Sequence, residues 1–266
     1  MRPIDRRTYL KAVGATGAIG LTATAGCTGG GGGGDGGTTT VTPGTAPGFP
    51  PFEMKQGGEL VGFDIDLLSA VVENAEGYQL GEWQEFEFKA LIPALTNDKI
   101  DVIAAAMTIT DERDQTVDFS DPYYNADQAI LVREGGDFSP NSLSDLAGHT
   151  LGAQKGTTGE SVIQEQLIKT GKVSEQNYNS YGNYVLAVED LQNGNIDAVV
   201  LDTPVANTFA GDRPVKVAFV YQTGERYGFA VREESNQLIG ALNDGLEAVM
   251  ASDRYNQITK KWFGQQ

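Results

Sequence analysis

Apolar residues recur along this chain in two rhythms. In "FDIDLLSAVVE", Ile65, Leu68 and Val72 fall at i, i+3 and i+7, with Leu67 and Val71 widening the stripe, which predicts a helix buried by one face. Leu91, Ile92 and Leu95 predict a second helix just before "IDVIAAA", whose small apolar run reads as a buried strand over 101–106. Short runs at "TLGAQ", "IDAVVL", "VKVAFVY" and "YGFAV" read as further strands. Helices are expected between and after them, near 158–169, 183–193, 203–210, 235–250 and 253–262. Strands alternating with helices of this size predict an α/β fold with largely parallel sheets.

One unit of this pattern occurs twice. "ALIPALTNDKIDVIAAA" ends a helix, turns through Asn97-Asp98-Lys99 and enters a strand at Ile100-Asp101-Val102-Ile103. "VEDLQNGNIDAVVLD" does the same through Asn193-Gly194-Asn195 into Ile196-Asp197-Ala198-Val199. Helix-turn-strand units are common in any α/β chain, so the echo fits a single domain as well as two similar lobes. In the two-lobe reading each lobe offers the carboxyl end of a strand to a shared cleft, where α/β sheets bind ligands. Thr108 and Arg113 follow the first strand and Asp202 follows the second. One lobe then brings a cation and the other an anion.

A ligand that needs both is a zwitterion, of which an α-amino acid is the commonest small kind. Arg113 can grip a carboxylate with two parallel N–H bonds, Thr108 adds a hydroxyl, and Asp202 accepts from an ammonium. "KGTTGE", Lys155 to Glu160, sets Thr157 and Thr158 at an expected helix start, where free amides also favour a carboxylate. Each residue has an ordinary alternative. Arg113 could pair with Asp111, Glu112 and Asp114, Asp202 and Thr157 could cap helices, and Phe49 and Phe88 could be core.

Composition narrows the setting. The chain has 266 residues, 40% of them hydrophobic, enough for one large domain or two lobes. Its net charge of -17 repels nucleic acid phosphates, so no nucleic-acid partner is expected. The amino terminus sets Arg6 and Arg7 before a weakly apolar stretch ending at Thr24-Ala25-Gly26-Cys27, followed by a glycine tract to Gly37. That start resembles a twin-arginine lipoprotein signal. The resemblance implies cleavage before Cys27, lipidation of Cys27, and a flexible tether over 27–37. Removing residues 1–26 takes away a net +3 and leaves about -20. With a pI near 4.3, this resembles the acidic proteins of salt-loving archaea.

From about Gly44 to Phe263 the chain resembles the polar amino acid binding proteins of ABC importers. The resemblance rests on "FPPFE" with "LVGFDIDL", "FKALIPAL" with "KIDVIAAAMTITDER", "VDFSDPYY", "LGAQKGTTGE" and "NIDAVVLDTP", all in order along the chain. It implies a type II periplasmic-binding-protein fold, two lobes with central, mainly parallel sheets joined by a two-strand hinge. Lobe 1 is expected at 38–128 plus 226–266 and lobe 2 at 129–225, with crossings near Gln128–Arg133 and Thr223–Phe229.

Carried over residue by residue, the resemblance gives Arg113 the ligand α-carboxylate, with Thr108, the backbone around Ala106, and Thr158 from the other lobe; Thr157 belongs to the same turn. Asp202 takes the α-ammonium, Phe49 and Phe88 pack on the side chain, and Gln154 stands where relatives place a side-chain reader. Ala46 departs from relatives that carry an aspartate there, which argues against a cationic ligand such as arginine or histidine. The implied partners are an amino acid, an ABC permease with its ATPase, and membrane lipid through Cys27, on the extracytoplasmic face of the cell membrane. No cofactor, metal or catalytic residue is implied. A dehydratase of the same fold and a sensory amino acid receptor remain the alternatives. His149, the one histidine, lies in "LAGHTLG", away from any Ser-His or Cys-His relay, which argues against the enzyme.

Overall fold

The computed structural model describes residues 37–264; Cys27 and the leader lie outside them. Two five-stranded sheets organise the chain. The first contains β1 (Pro43–Thr45), β2 (Gln84–Glu85), β3 (Val102–Ile103), β4 (Val117–Phe119) and, from the far end of the chain, Ala230–Arg232. The second contains β5 (Tyr124–Arg133), β6 (Leu151–Gln154), β7 (Tyr178–Tyr181), β8 (Ala198–Asp202) and β9 (Val215–Tyr227). With Ala230–Arg232 as β10, the orders are β2-β1-β3-β10-β4 and β7-β6-β8-β5-β9. In each sheet four strands run in one direction and one runs against them, β10 in the first and β5 in the second. The two sheets thus share one plan.

The helices form where the apolar stripes predict them: α1 (Phe63–Glu73), α2 (Leu91–Thr96), α3 (Thr158–Val162), α4 (Tyr184–Asn193), α5 (Thr203–Asp212), α6 (Asn236–Met250) and α7 (Asp253–Phe263). Local chemistry sets their ends. Asn183 accepts from Leu186 N–H at the start of α4, and Gly194 closes that helix in the left-handed region at φ 79°. Gly62 precedes α1 at φ 150°, and a Cβ there would lie 1.9 Å from the Phe52 carbonyl oxygen, so only glycine lets the two segments pass. The helix expected near 158–169 is found in two pieces, α3 and a wider-wound turn over Ile163–Ile168.

Three expectations shift in detail. The strand expected over 101–106 pairs only at Val102–Ile103, and the buried alanines 104–106 leave the ladder through a bend at Ala105. "VKVAFVY" and the start of "YGFAV" form one strand, β9, and Phe229 lies beyond it. At Thr223-Gly224 the ladder is irregular, and Asp127 on β5 accepts both of their N–H groups at 2.8 Å and holds the irregularity inside it. The residues 128–133 lie within the second sheet; the chain leaves the first sheet at Phe119 and enters the second at Tyr124. It returns between Tyr227 and Ala230. These crossings run side by side, because Tyr124 is the register partner of Tyr227.

Candidate functional site

Residues from the two sheets meet around a tight space of about 10 Å³, room for no more than about one water, so the two walls lie closed on one another. Phe49, Phe88, Ala106, Thr108 and Arg113 line it from the side of the first sheet, with Ala105. Gln154, Thr157, Thr158 and Asp202 line it from the other side. All nine residues named from the sequence therefore converge on one space. A larger groove behind the crossings is open to solvent and is lined by Asp127, Glu225, Arg226 and Trp262.

Direct contacts tie the two walls. The Arg113 guanidinium donates to the Thr108 carbonyl at 2.6 Å and to the Gly156 carbonyl across the cleft at 3.0 Å. Its central carbon lies 5.4 Å from the Phe88 ring centroid, a cation–π approach. Among the described residues no ion pair joins Arg113 to Asp111, Glu112 or Asp114, so the surface-pairing alternative fails. Thr158 donates to the Thr108 hydroxyl at 3.3 Å. Phe49 lies 5.7 Å from Tyr184 of α4, ring to ring, and only 6% of its surface is exposed, so it is both core and wall.

Asp202 is 4% exposed. It precedes α5 but its side chain makes no capping bond; its Oδ1 accepts from the Tyr227 hydroxyl at 2.7 Å. Burial, then the nearby charge of Glu225, pushes its carboxyl up to about 8, against bonds from Tyr227 and Gln128. Burial lowers the Arg113 value, opposed chiefly by Glu225 and Asp202. Asp64, at the start of α1, is pushed up to about 7 by burial. Its Oδ2 accepts from the Tyr123 hydroxyl and the Ala106 N–H, both at 2.6 Å.

Three expected roles change at this level. The Ala106 N–H is committed to Asp64, and Ala106 sits at φ 44°, a strained setting for a residue with a Cβ. The Thr108 hydroxyl donates to Glu225 Oε2 at 2.7 Å, which takes its single proton away from a ligand carboxylate. Thr157 caps α3 and donates to the Gln154 carbonyl at 2.7 Å, so its hydroxyl is held structurally. Gln154 itself is buried and donates to the Gly182 carbonyl.

The sequence reading missed Glu225, Gln128, Tyr184 and Tyr227. Glu225 accepts from Gln128 at 2.8 Å and Thr223 at 2.7 Å as well as from Thr108. It lies in a segment the sequence marked only as a crossing. Its signal was period two, since Thr223, Glu225 and Tyr227 alternate with more exposed neighbours on one strand face.

The family model for bacterial extracellular solute-binding proteins, family 3, matches residues 41–265. A "Probable histidine-binding protein" of Campylobacter jejuni is 37% identical over 84% of this chain and 84% of its own. The "L-arginine-binding protein" of Pseudomonas aeruginosa is 36% identical over 81% of this chain and 84% of its own. Among solved structures, "An ancestral arginine-binding protein bound to arginine" superposes with a TM-score of 0.78 at 41% identity, covering 85% of this chain and 98% of that one.

Proposed function

The chain belongs to the bacterial extracellular solute-binding proteins, family 3, and we propose on that premise that it captures an α-amino acid outside the cytoplasm and hands it to an ABC importer. The observation that carries this reading is the convergence of Arg113 and Asp202, one from each sheet, on a single small cavity. Arg113 exchanges its bond to the Gly156 carbonyl for the ligand carboxylate, with Thr158 beside it. Asp202 ionises to receive the ammonium. Desolvation between closed lobes strengthens both contacts. Closure itself is a shift of an open-closed equilibrium by the ligand's preference for the closed form.

The relatives are named as binding proteins and not as enzymes, and the chain is a receptor without catalysis of its own. Their names make arginine and histidine the first ligands to test. Phe49 and Phe88 offer faces for a flat guanidinium or imidazole. Ala46 brings no carboxylate to the side chain, so stacking selects it. The proposed moving bodies are the two lobes, their expected bounds of 38–128 plus 226–266 and 129–225 moved to the crossings at 119–124 and 227–230.

A thermal-shift panel of amino acids tests the reading, because a ligand bound only by the native state raises the melting midpoint. A rise with arginine or histidine, without consumption, supports it; no rise with any amino acid contradicts it. We further assign the amino terminus to twin-arginine export and Cys27 to lipidation, so Cys27→Ala should move the protein out of the membrane fraction. The acidic surface suits high salt, and the melting midpoint should climb with salt concentration.

A further inference from the structure

Glu225 belongs to neither wall of the cavity. It sits on β9, one of the two crossing strands, lines the open groove behind them, and is 6% exposed. Its two oxygens receive three donors, the hydroxyls of Thr108 and Thr223 and the Gln128 amide, the complement of an acceptor-only carboxylate. Gln128 is also the strand-register partner of Asp202, so the residue that donates to Glu225 stands directly beside the second acid. Glu225 therefore reaches the cavity in two ways: by its field on Asp202 and Arg113, and through the Thr108 hydroxyl.

A threonine hydroxyl has one proton and two lone pairs. With the proton turned to Glu225, Thr108 accepts from Thr158 with one lone pair and leaves the other for the cleft. The polar end of the cavity then holds acceptors, at Thr108 and Asp202, where a donor-bearing cation fits.

We propose that Glu225 is a positioning residue for ligand selection: by orienting Thr108 and holding Gln128 beside Asp202, it makes this end of the cleft accept a protonated amine and reject the same molecule without one. The proposal rests on the amino acid reading above and adds a residue on the crossing strands to it. In Glu225→Gln, the amide oxygen keeps the Gln128 and Thr223 donors while its NH2 faces Thr108. The threonine proton is thereby freed to swing into the cleft.

The test compares L-arginine and L-histidine with their des-amino analogues by calorimetric titration of the wild type, Glu225→Gln, Glu225→Asp and Thr108→Val. The wild type is expected to prefer the amine form strongly. Glu225→Gln should cut that preference by about tenfold, one lost hydrogen bond's worth of discrimination. Glu225→Asp should restore part of it, and Thr108→Val should reproduce the loss without adding to it in the double variant. An unchanged preference in Glu225→Gln, or equal weakening of both ligand forms, would overturn the proposal. Should Glu225→Gln fail to fold, Glu225→Asp and Thr108→Val carry the comparison.

If the wild type binds none of these compounds, the amino acid reading fails on its own, and carboxyl-carbon NMR of the ligand-free protein decides the rest. A fall of about one pH unit or more in the Asp202 titration midpoint on Glu225→Gln supports the coupling, and an unmoved midpoint overturns it.

Discussion

The two sheets are built from the same parts and finished with opposite charges. In the first, Arg232 at the end of β10 donates to the carbonyls of Leu95 and Ile100, tying the end of α2 to the chain that enters β3. In the second, Arg133 at the end of β5 donates to the carbonyls of Leu191 and Ile196, tying α4 to β8 in the same way. Asp101 accepts from the Thr42 N–H and Asp197 from the Thr150 N–H, each at 2.9 Å, locking the entry to β1 and β6. Gly44 and Gly152 leave room for Ile100 and Ile196. The frames match down to single hydrogen bonds. Beyond β3, however, the chain delivers Arg113, and beyond β8 it delivers Asp202. A duplicated scaffold thus places two strand ends face to face, and the residues after those ends supply the chemistry.

The comparison is broken most severely at the strand ends. Arg113→Ala and Asp202→Asn should each weaken ligand binding sharply, the former by about 2–5 kcal/mol, as for one partner of a buried charge pair. Neither should lower the ligand-free melting midpoint, since both residues serve the cleft more than the frame. Thermal scans with and without ligand separate the two effects.

The anchoring arginines sharpen it. Arg232 also pairs with Asp101 at 2.8 Å, whereas Asp197 faces His149 at 3.2 Å and Arg133 relies on carbonyls. Arg232→Ala should therefore cost more stability than Arg133→Ala, about 3 against about 2 kcal/mol in denaturant titrations, from lost charge-assisted bonds. Equal losses would mean the Asp101 pair contributes nothing.

Smaller effects follow at the glycines. A Cβ at Gly44 would lie 2.2 Å from Ile100 Cδ1, and one at Gly152 would lie 2.7 Å from Ile196 Cδ1 and 2.8 Å from a Tyr181 ring carbon. Gly44→Ala and Gly152→Ala should each cost about 1–3 kcal/mol by overpacking. Gly44→Ala depends on one flexible isoleucine tip giving way, so it should be the milder of the two.

The pH response belongs to the second half of the site. Asp202 is pushed up to about 8 in the closed, ligand-free cleft, and an incoming ammonium favours its ionised form. Binding then releases a proton, so affinity should rise with pH up to about 8. Because folding raises this carboxyl, its contribution to ligand-free stability is full below its ordinary value near 3.8 and is lost as pH climbs to about 8. Asp202→Asn should flatten both profiles. A wild-type affinity that falls between pH 6 and pH 8 would contradict the assignment.

The frame was legible because it rests on local rules. Periodic stripes gave the helices, and the repeated turn into Ile-Asp gave the paired units. Positions within the cavity were legible through the order of motifs, which brought all nine residues to one space. What escaped was the use of each hydrogen-bonding group. Nothing near Thr108 in sequence reveals that its proton goes to Glu225, and nothing near Ala106 reveals that its N–H goes to Asp64. These partners are set by register between distant strands and helices, and that register depends on burial of both faces at once.

The central claim is that opposite charges from the two halves clamp the head group of an amino acid, with Arg113 on its carboxylate. Calorimetric titration of the wild type and Arg113→Ala with L-arginine, L-histidine and their methyl esters tests it most directly. The account predicts that the wild type prefers a free acid over its ester by about a hundredfold, within the span of one buried charge contact. Arg113→Ala should bind both forms weakly and alike. An Arg113→Ala protein that still prefers the free acid, or a wild type that does not distinguish the two, would contradict it.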